Sequence, residues 1–152
     1  MPSFEQAKDI LDHAKEFHHR VARYYLQLED QVAQQRVKMM LNYLSRHEDR
    51  LADALQSYEE NASRKILNTW VQFVYDDEIL KTLGETPVQS EMSVDDVVDL
   101  GLRLDDRLIN CFKMMVDAAE TDDVREVFQN LVDMEEQEKR QLVRNAGRSL
   151  DI

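Results

Sequence analysis

The chain has 152 residues and a formal charge of −12, from 31 acidic and 19 basic residues. This length predicts one domain, residues 1–152, with its own hydrophobic core. The acidic balance argues against a nucleic-acid partner, because phosphate binding needs a basic face, and no apolar stretch approaches the roughly 18 residues that cross a bilayer.

The composition is typical of an all-helical protein. Glycine and proline are rare, at 3 and 2 residues, and the charged residues alternate with apolar ones at helical spacing. We therefore predict an all-α fold with almost no sheet. The single cysteine, Cys111, excludes an internal disulfide, and the acidic amphipathic N-terminus does not resemble a signal peptide, so we predict a cytoplasmic protein.

The first half of the chain predicts two long helices. Ser3 and Gln6 form a capping-box pattern at the start of the first helix, and His18 lies on its apolar face. After a short break at residues 29–32, a second helix has His47 on its apolar face. Helices joined this tightly run antiparallel, and each histidine lies half-way along its helix, so the two can meet.

A shorter third segment follows, with Asn61 or Ser63 as its cap. Its apolar residues cover too much of the circumference for a surface helix, so we predict burial within the domain or in a dimer. We therefore expect a homodimer with Trp70 at or near the interface. The apolar residues of this third segment are Ile66, Leu67, Trp70, Val71, Phe73 and Val74.

Residues 76–91, which follow the third segment, are predicted to form an irregular crossover.

Two further long helices are predicted in the second half. Ser93 with Asp96 three residues later opens the first of them, and its apolar face includes Asp105. Thr121 caps the last helix, which we expect to fray around Gly147.

The last helix also has charged residues among its apolar ones. Glu135 and Glu138 lie on the face formed by Val124, Phe128 and Leu131. Charged side chains are seldom buried unless they are paired or bind a metal. This face therefore predicts either a solvated groove or a buried site.

The two halves share one pattern, in which each apolar face is interrupted near its middle by polar residues. This repeat predicts a four-helix bundle of two antiparallel hairpins with an additional helix in the crossover. Superposing the halves pairs His18 with Asp105, Leu44 with Glu135 and His47 with Glu138.

With these positions, the chain resembles the ferritin-like, rubrerythrin-like superfamily over its four long helices. In that family each hairpin supplies a Glu from its first helix and a Glu-x-x-His from its second, and together they hold two iron or manganese ions. Here only His47 and Glu135 match in residue type. Leu44 replaces a carboxylate that bridges the two metals and cannot ligate, so we predict at most one ion per chain. The cysteine pair of true rubrerythrins is absent.

Two interpretations of the cluster remain open. In the first, it binds one iron or manganese ion, and the protein handles peroxide, oxygen or iron. In the second, the same side chains form a metal-free polar network, and the protein is a scaffold or interaction protein that uses the Trp70 segment. The pattern identifies neither a catalytic residue nor a redox partner. The predicted metal-site residues are His18, His47, Asp105, Glu135 and Glu138.

Overall fold

The computed structural model describes residues 2–74 and 92–150 of the chain. Within these ranges the chain forms five helices and two strands. Four of the helices are long, which confirms the predicted all-α bundle. The strands are β1 (Pro2–Gln6) and β2 (Trp70–Val74). The helices are α1 (Ala7–Glu29), α2 (Gln35–Asn61), α3 (Arg64–Leu67), α4 (Val94–Ala118) and α5 (Asp122–Leu150).

Helices α1 and α2 form the first hairpin. Residues 30–34 connect them, close to the predicted break. Lys15, in the first half of α1, places its Nζ 2.5 Å from Glu59 Oε2, near the end of α2. A short connection together with this pairing means that the two helices run antiparallel, as predicted.

Helices α4 and α5 form the second hairpin, connected by residues 119–121. Lys139 pairs with Asp106 across the two helices. Lys113, two turns further along α4, pairs with Glu136, which is earlier in α5, at 3.1 Å between Nζ and Oε1. The order of these pairs makes the second hairpin antiparallel as well.

Gly101 lies where α4 packs closely against α1 and α2. A Cβ atom on this residue of α4 would lie 3.2 Å from the Tyr25 hydroxyl oxygen and 3.5 Å from Leu44 Cδ2. Glycine therefore lets α4 pack directly on α1 and α2. The core around this point is apolar; its largest fully buried side chains are Tyr25, Phe128, Ile10, Leu11, Leu28, Leu41, Leu44, Leu51, Leu55, Leu104, Leu131 and Leu142.

The predicted caps of the second hairpin are confirmed. The backbone N–H of Asp96 donates to Ser93 Oγ at 3.1 Å, and that of Ser93 donates to Asp96 Oδ2 at 3.0 Å. At the start of α5, the backbone N–H of Val124 donates to Thr121 Oγ1 at 3.3 Å. These bonds satisfy donors that a helix start leaves unpaired. Helix α5 continues to Leu150, three residues beyond Gly147, where we expected it to fray.

The chain start differs from the expectation. Residues 2–6 form β1, so Ser3 does not begin a helix, and the predicted capping box at Ser3 and Gln6 is wrong. The backbone N–H of Gln6 instead donates to Asp9 Oδ2 at 3.3 Å, just before α1. β1 pairs antiparallel with β2, with Gln6 opposite Trp70. This small sheet corrects the expectation of almost no sheet.

The apolar third segment also differs. Ser63 caps α3 as predicted, because the backbone N–H of Ile66 donates to its Oγ at 3.2 Å. However, α3 has only four residues, and the chain then extends as β2. The run WVQFV is aromatic and β-branched, which favours a strand, and periodicity alone does not distinguish a short apolar run from a buried helix. Trp70 is 66% exposed in the single chain, so of the two expected settings burial within the domain does not hold for it, and the dimer interface stays a prediction.

Two further sequence expectations concern the rest of the chain. The predicted irregular crossover at residues 76–91 lies outside the described residues. In the ranges 2–74 and 92–150, no helix is both long enough and apolar enough to span a membrane.

Candidate metal centre

The structure brings all five predicted site residues together between the four long helices. Four of them have at most 3% of their surface exposed, whereas the side chain of Glu138 is 29% exposed. They come from α1, α2, α4 and α5, in that order: His18, His47, Asp105, Glu135 and Glu138.

His18 lies between two carboxylates. Its Nδ1 is 2.5 Å from Glu48 Oε2, and its Nε2 is 2.7 Å from Glu135 Oε1. Burial by itself lowers the pKa of His18, but Glu135 and Glu48 together raise that pKa well above its ordinary value. The raised pKa favours the doubly protonated ring, which can donate from each nitrogen to one carboxylate.

Glu48 is the site residue that the sequence interpretation missed. It is 1% exposed, and burial raises the pKa of its carboxyl to about 7, against the opposing effect of His18. A signal for it was present, because Glu48 follows Leu41 and Leu44 and precedes Leu51 and Leu55 at helical spacing. It lies one turn beyond Leu44 on the same face of α2.

His47 has looser contacts. Its Nε2 lies 3.5 Å from Asp105 Oδ2, and its Nδ1 lies 3.8 Å from Glu138 Oε2, both too long for a good hydrogen bond. Burial lowers the pKa of His47, but Asp105, Glu48 and Glu138 raise it above its ordinary value overall. The ring is thus surrounded by acidic groups without being hydrogen-bonded to Asp105.

Several buried polar atoms at this site have no hydrogen-bond partner among the described residues. They include His47 Nε2, Asp105 Oδ2 and Glu135 Oε2. Leaving a buried polar atom unpaired costs about 1 to 3 kcal/mol, and more for a charged group, so such atoms call for an explanation.

A metal ion is one such explanation, and the ligand set fits it. One ligand atom each from His47, Glu48 and Asp105 lies within 4.8 Å of the other two. Imidazole and carboxylate suit iron, manganese and zinc. Glu138 Oε2 is near the same histidine and has access to solvent, so it could complete the set.

Tyr25 borders the cluster. Its hydroxyl is buried and lacks a hydrogen bond among the described residues. Burial raises the pKa of Tyr25 well above its ordinary value, and Glu48 and Asp105 raise it further. The phenol therefore stays protonated beside the acidic cluster.

The remaining histidines lie at the surface, as expected. His13 Nε2 is 3.3 Å from Glu5 Oε1, and His19 Nδ1 is 3.3 Å from Asp49 Oδ1. Their side chains are 44% and 45% exposed. Neither belongs to the cluster.

The chain was compared with known families, curated proteins and solved structures. No family model matches it, and no curated protein matches it. A solved structure from Thermotoga maritima, described as a ferritin-like diiron-carboxylate protein, is similar with a TM-score of 0.54 and 16% sequence identity. The similarity covers 95% of this chain and 97% of that one. This chain therefore has a ferritin-like fold.

Proposed function

We propose that this protein binds one iron or manganese ion per chain at His47, Glu48 and Asp105, and that it acts in the handling of peroxide, oxygen or iron. Two buried atoms, His47 Nε2 and Asp105 Oδ2, carry this proposal, because they lie 3.5 Å apart and have no hydrogen bond within residues 2–74 and 92–150. A cation between the residues would satisfy both atoms. The single cysteine and the acidic composition support a cytoplasmic location, which is part of the same proposal.

Each ligand has a distinct role in this proposal. His47 would offer a ring nitrogen, while Glu48 and Asp105 would offset the charge of the ion in a buried setting. Glu138, which is 29% exposed, borders the site on its solvent side, so ions and small substrates would reach the site there. A bound iron or manganese ion would supply Lewis-acid and one-electron redox chemistry.

The proposed stoichiometry of one ion follows from Leu44. This residue is fully buried and has no donor atom, although the resembled family has a bridging carboxylate at its position. Glu48, one turn further along α2, supplies a carboxylate, but this carboxylate is already held by His18. The described residues thus offer one complete set of ligands.

Metal analysis tests the proposal. The wild-type protein, purified after growth in iron-replete or manganese-replete medium, should contain about one ion per chain. Anaerobic titration with iron(II) or manganese(II) should show that His47→Gln removes this binding. His19→Gln is the matched control, because His19 also lies beside a carboxylate but is 45% exposed and outside the cluster. Sub-stoichiometric metal after both growth conditions, with no uptake on titration, would contradict the proposal.

A second candidate function, an interaction role, is favoured by Trp70. This indole is 66% exposed at the start of β2, which is unusual for tryptophan, and exposed aromatic residues mark contact surfaces. We propose that Trp70 lies at or near the interface of a homodimer.

Light scattering at micromolar concentration tests this interface and should give about twice the chain mass of 17.9 kDa. Trp70→Ser should shift the protein towards monomer. Met39→Ser is the control, because Met39 is similarly exposed, at 63%, but lies on α2. A monomeric wild type, or a dimer that both variants leave intact, would rule out this interface.

A further inference from the structure

His18 differs from His47 in how its ring is held. Both nitrogens of His18 lie within 2.7 Å of a carboxylate oxygen, one on α2 and one on α5. His47 Nε2 lies 3.5 Å from Asp105 Oδ2, and His47 Nδ1 lies 3.8 Å from Glu138 Oε2. Both nitrogens of His18 thus have a partner at hydrogen-bond distance, whereas Nε2 of His47 has none among the described residues.

We propose that His18 is a positioning residue, which crosslinks Glu48 and Glu135 and thereby fills the place that a second metal ion would occupy. This inference rests on the proposed function, because it assumes an ion at His47, Glu48 and Asp105. It departs from the sequence expectation, in which His18 itself was a ligand.

Coordination geometry supports this role. A histidine ligand must direct the lone pair of one nitrogen at the ion, and its other nitrogen then donates to a neighbouring group. His18 has no nitrogen left for an ion, since each one faces a carboxylate at hydrogen-bond distance. The fully buried position of the ring, with 0% exposure, leaves it no solvent-side alternative.

The same contacts explain how His18 acts on the site. Glu48 belongs both to the group of possible ligands and to the pair with His18. By holding Oε2 of Glu48, His18 orients this carboxylate relative to His47 and Asp105. A second ion would need Glu48 and Glu135 together, and the His18 ring lies between them.

Zinc(II) is the probe for this inference, because it binds N/O sites more tightly than iron(II) or manganese(II) and is diamagnetic. In protein labelled with ¹⁵N-histidine, zinc should shift the ring-nitrogen resonance of His47 as expected for coordination. The His18 ring should keep protons on both nitrogens. Equilibrium dialysis should give one zinc ion per chain for the wild type.

Three variants distinguish a positioning role of His18 from a general loss of packing in the bundle. His18→Gln should lower zinc affinity by about 10- to 100-fold, the usual effect of removing a group that orients a ligand, and should keep the His47 shift. His18→Lys, which retains a cationic donor, should recover part of that affinity. Val21→Ala, a buried change one turn along α1, should lower stability and leave zinc affinity unchanged.

The possible failures are distinguishable. Wild-type protein that takes up no zinc, iron(II) or manganese(II) would overturn the proposed function and this inference with it. Zinc binding that shifts both His18 and His47 would overturn the inference alone, because His18 would then be a ligand. The inference would also be overturned if His18→Gln, like Val21→Ala, left the zinc affinity unchanged.

Discussion

At the scale of single residues, Glu48 connects the two buried histidines of the cluster. It is buried, hydrogen-bonded to His18 and close to His47 and Asp105, so its loss would leave a buried histidine without one of its acceptors. Breaking a buried ion pair by removing one partner is more costly than losing a pair at the surface, because the remaining charge stays uncompensated.

For Glu48→Ala we therefore expect the free energy of unfolding of the metal-free protein to fall by about 3 to 5 kcal/mol. Urea unfolding in the presence of a chelator measures this change. Asp49→Ala is the matched control on the next position of α2, because Asp49 is 55% exposed and pairs only with the surface residue His19 among the contacts described for it. We expect about 0 to 1 kcal/mol there. Equal effects of the two variants would mean that the His18–Glu48 pair is solvated.

The same residues predict how stability depends on pH. The pKa values of His18 and His47 are raised above their ordinary value of 6.5, and that of Glu48 is raised from 4.5 to about 7. A group whose pKa is higher in the folded than in the unfolded protein stabilises the folded state. This contribution is complete at pH values below the pKa in the unfolded protein, and it is lost as the pH rises through the pKa in the folded protein. All three shifts have this sign.

Metal-free protein should therefore become less stable as pH rises from 5 to 9, with the histidine contribution lost only above 6.5. The slope is about 1.4 kcal/mol per pH unit for each proton by which folded and unfolded states differ. Urea unfolding at several pH values, with chelator present, gives the slope. The variant His18→Gln should flatten it, and a wild-type stability that increases over this range would contradict the assignment.

At the scale of helices, substitutions at two glycines distinguish the effect of helix propensity on stability from the effect of side-chain packing. Gly101 lies where α4 approaches α1 and α2, whereas a Cβ on Gly147 of α5 would have no neighbour within 4 Å in the part of the chain that the structure describes. Alanine has a higher helix propensity than glycine at both positions, so only the surroundings distinguish them.

Gly147→Ala should raise the free energy of unfolding by about 0.5 to 1 kcal/mol. Gly101→Ala should lower it by about 1 to 3 kcal/mol, because the new methyl group meets the hydroxyl of Tyr25, which is fully buried and cannot move aside. Thermal or urea unfolding of both variants decides this. If Gly101→Ala were the more stable of the two, the packing at this crossing would be looser than described.

At the scale of the whole molecule, we expect the number of ions in the proposed site to depend on residues from three helices. Leu44 on α2 has no donor atom, and His18 on α1 contacts two carboxylates, Glu48 on α2 and Glu135 on α5. Changing one helix alone therefore should not create a second metal position.

Leu44→Glu alone should bind about one iron(II) per chain, like the wild type, whereas the double variant His18→Glu, Leu44→Glu should bind about two. The double variant has the Glu and Glu-x-x-His arrangement of the resembled family in its first hairpin, and the added carboxylates offset the charge of a second ion. Anaerobic iron(II) titration counts the ions, and circular dichroism checks that the helices form. Two ions in Leu44→Glu alone would show that His18 does not exclude the second ion.

The sequence by itself determined the four long helices, their pairing into hairpins and the charged residues that interrupt the apolar faces. Helix periodicity and caps such as Ser93 and Thr121 depend on residues within a few positions of one another, so they can be read locally. The short connections imply antiparallel packing without further information. For these reasons His18, His47, Asp105 and Glu135 were correctly expected to be buried together.

Only the tertiary structure decided the features that depend on contacts between distant residues. β2 forms because β1, more than 60 positions earlier, supplies its hydrogen-bonding partner, and this pairing leaves Trp70 exposed. Helical spacing places Glu48 on the apolar face of α2, but its contact with His18 exists only because α2 packs against α1. The partners of His18 follow from the same packing, since side chains on α1, α2 and α5 meet only after both hairpins have come together.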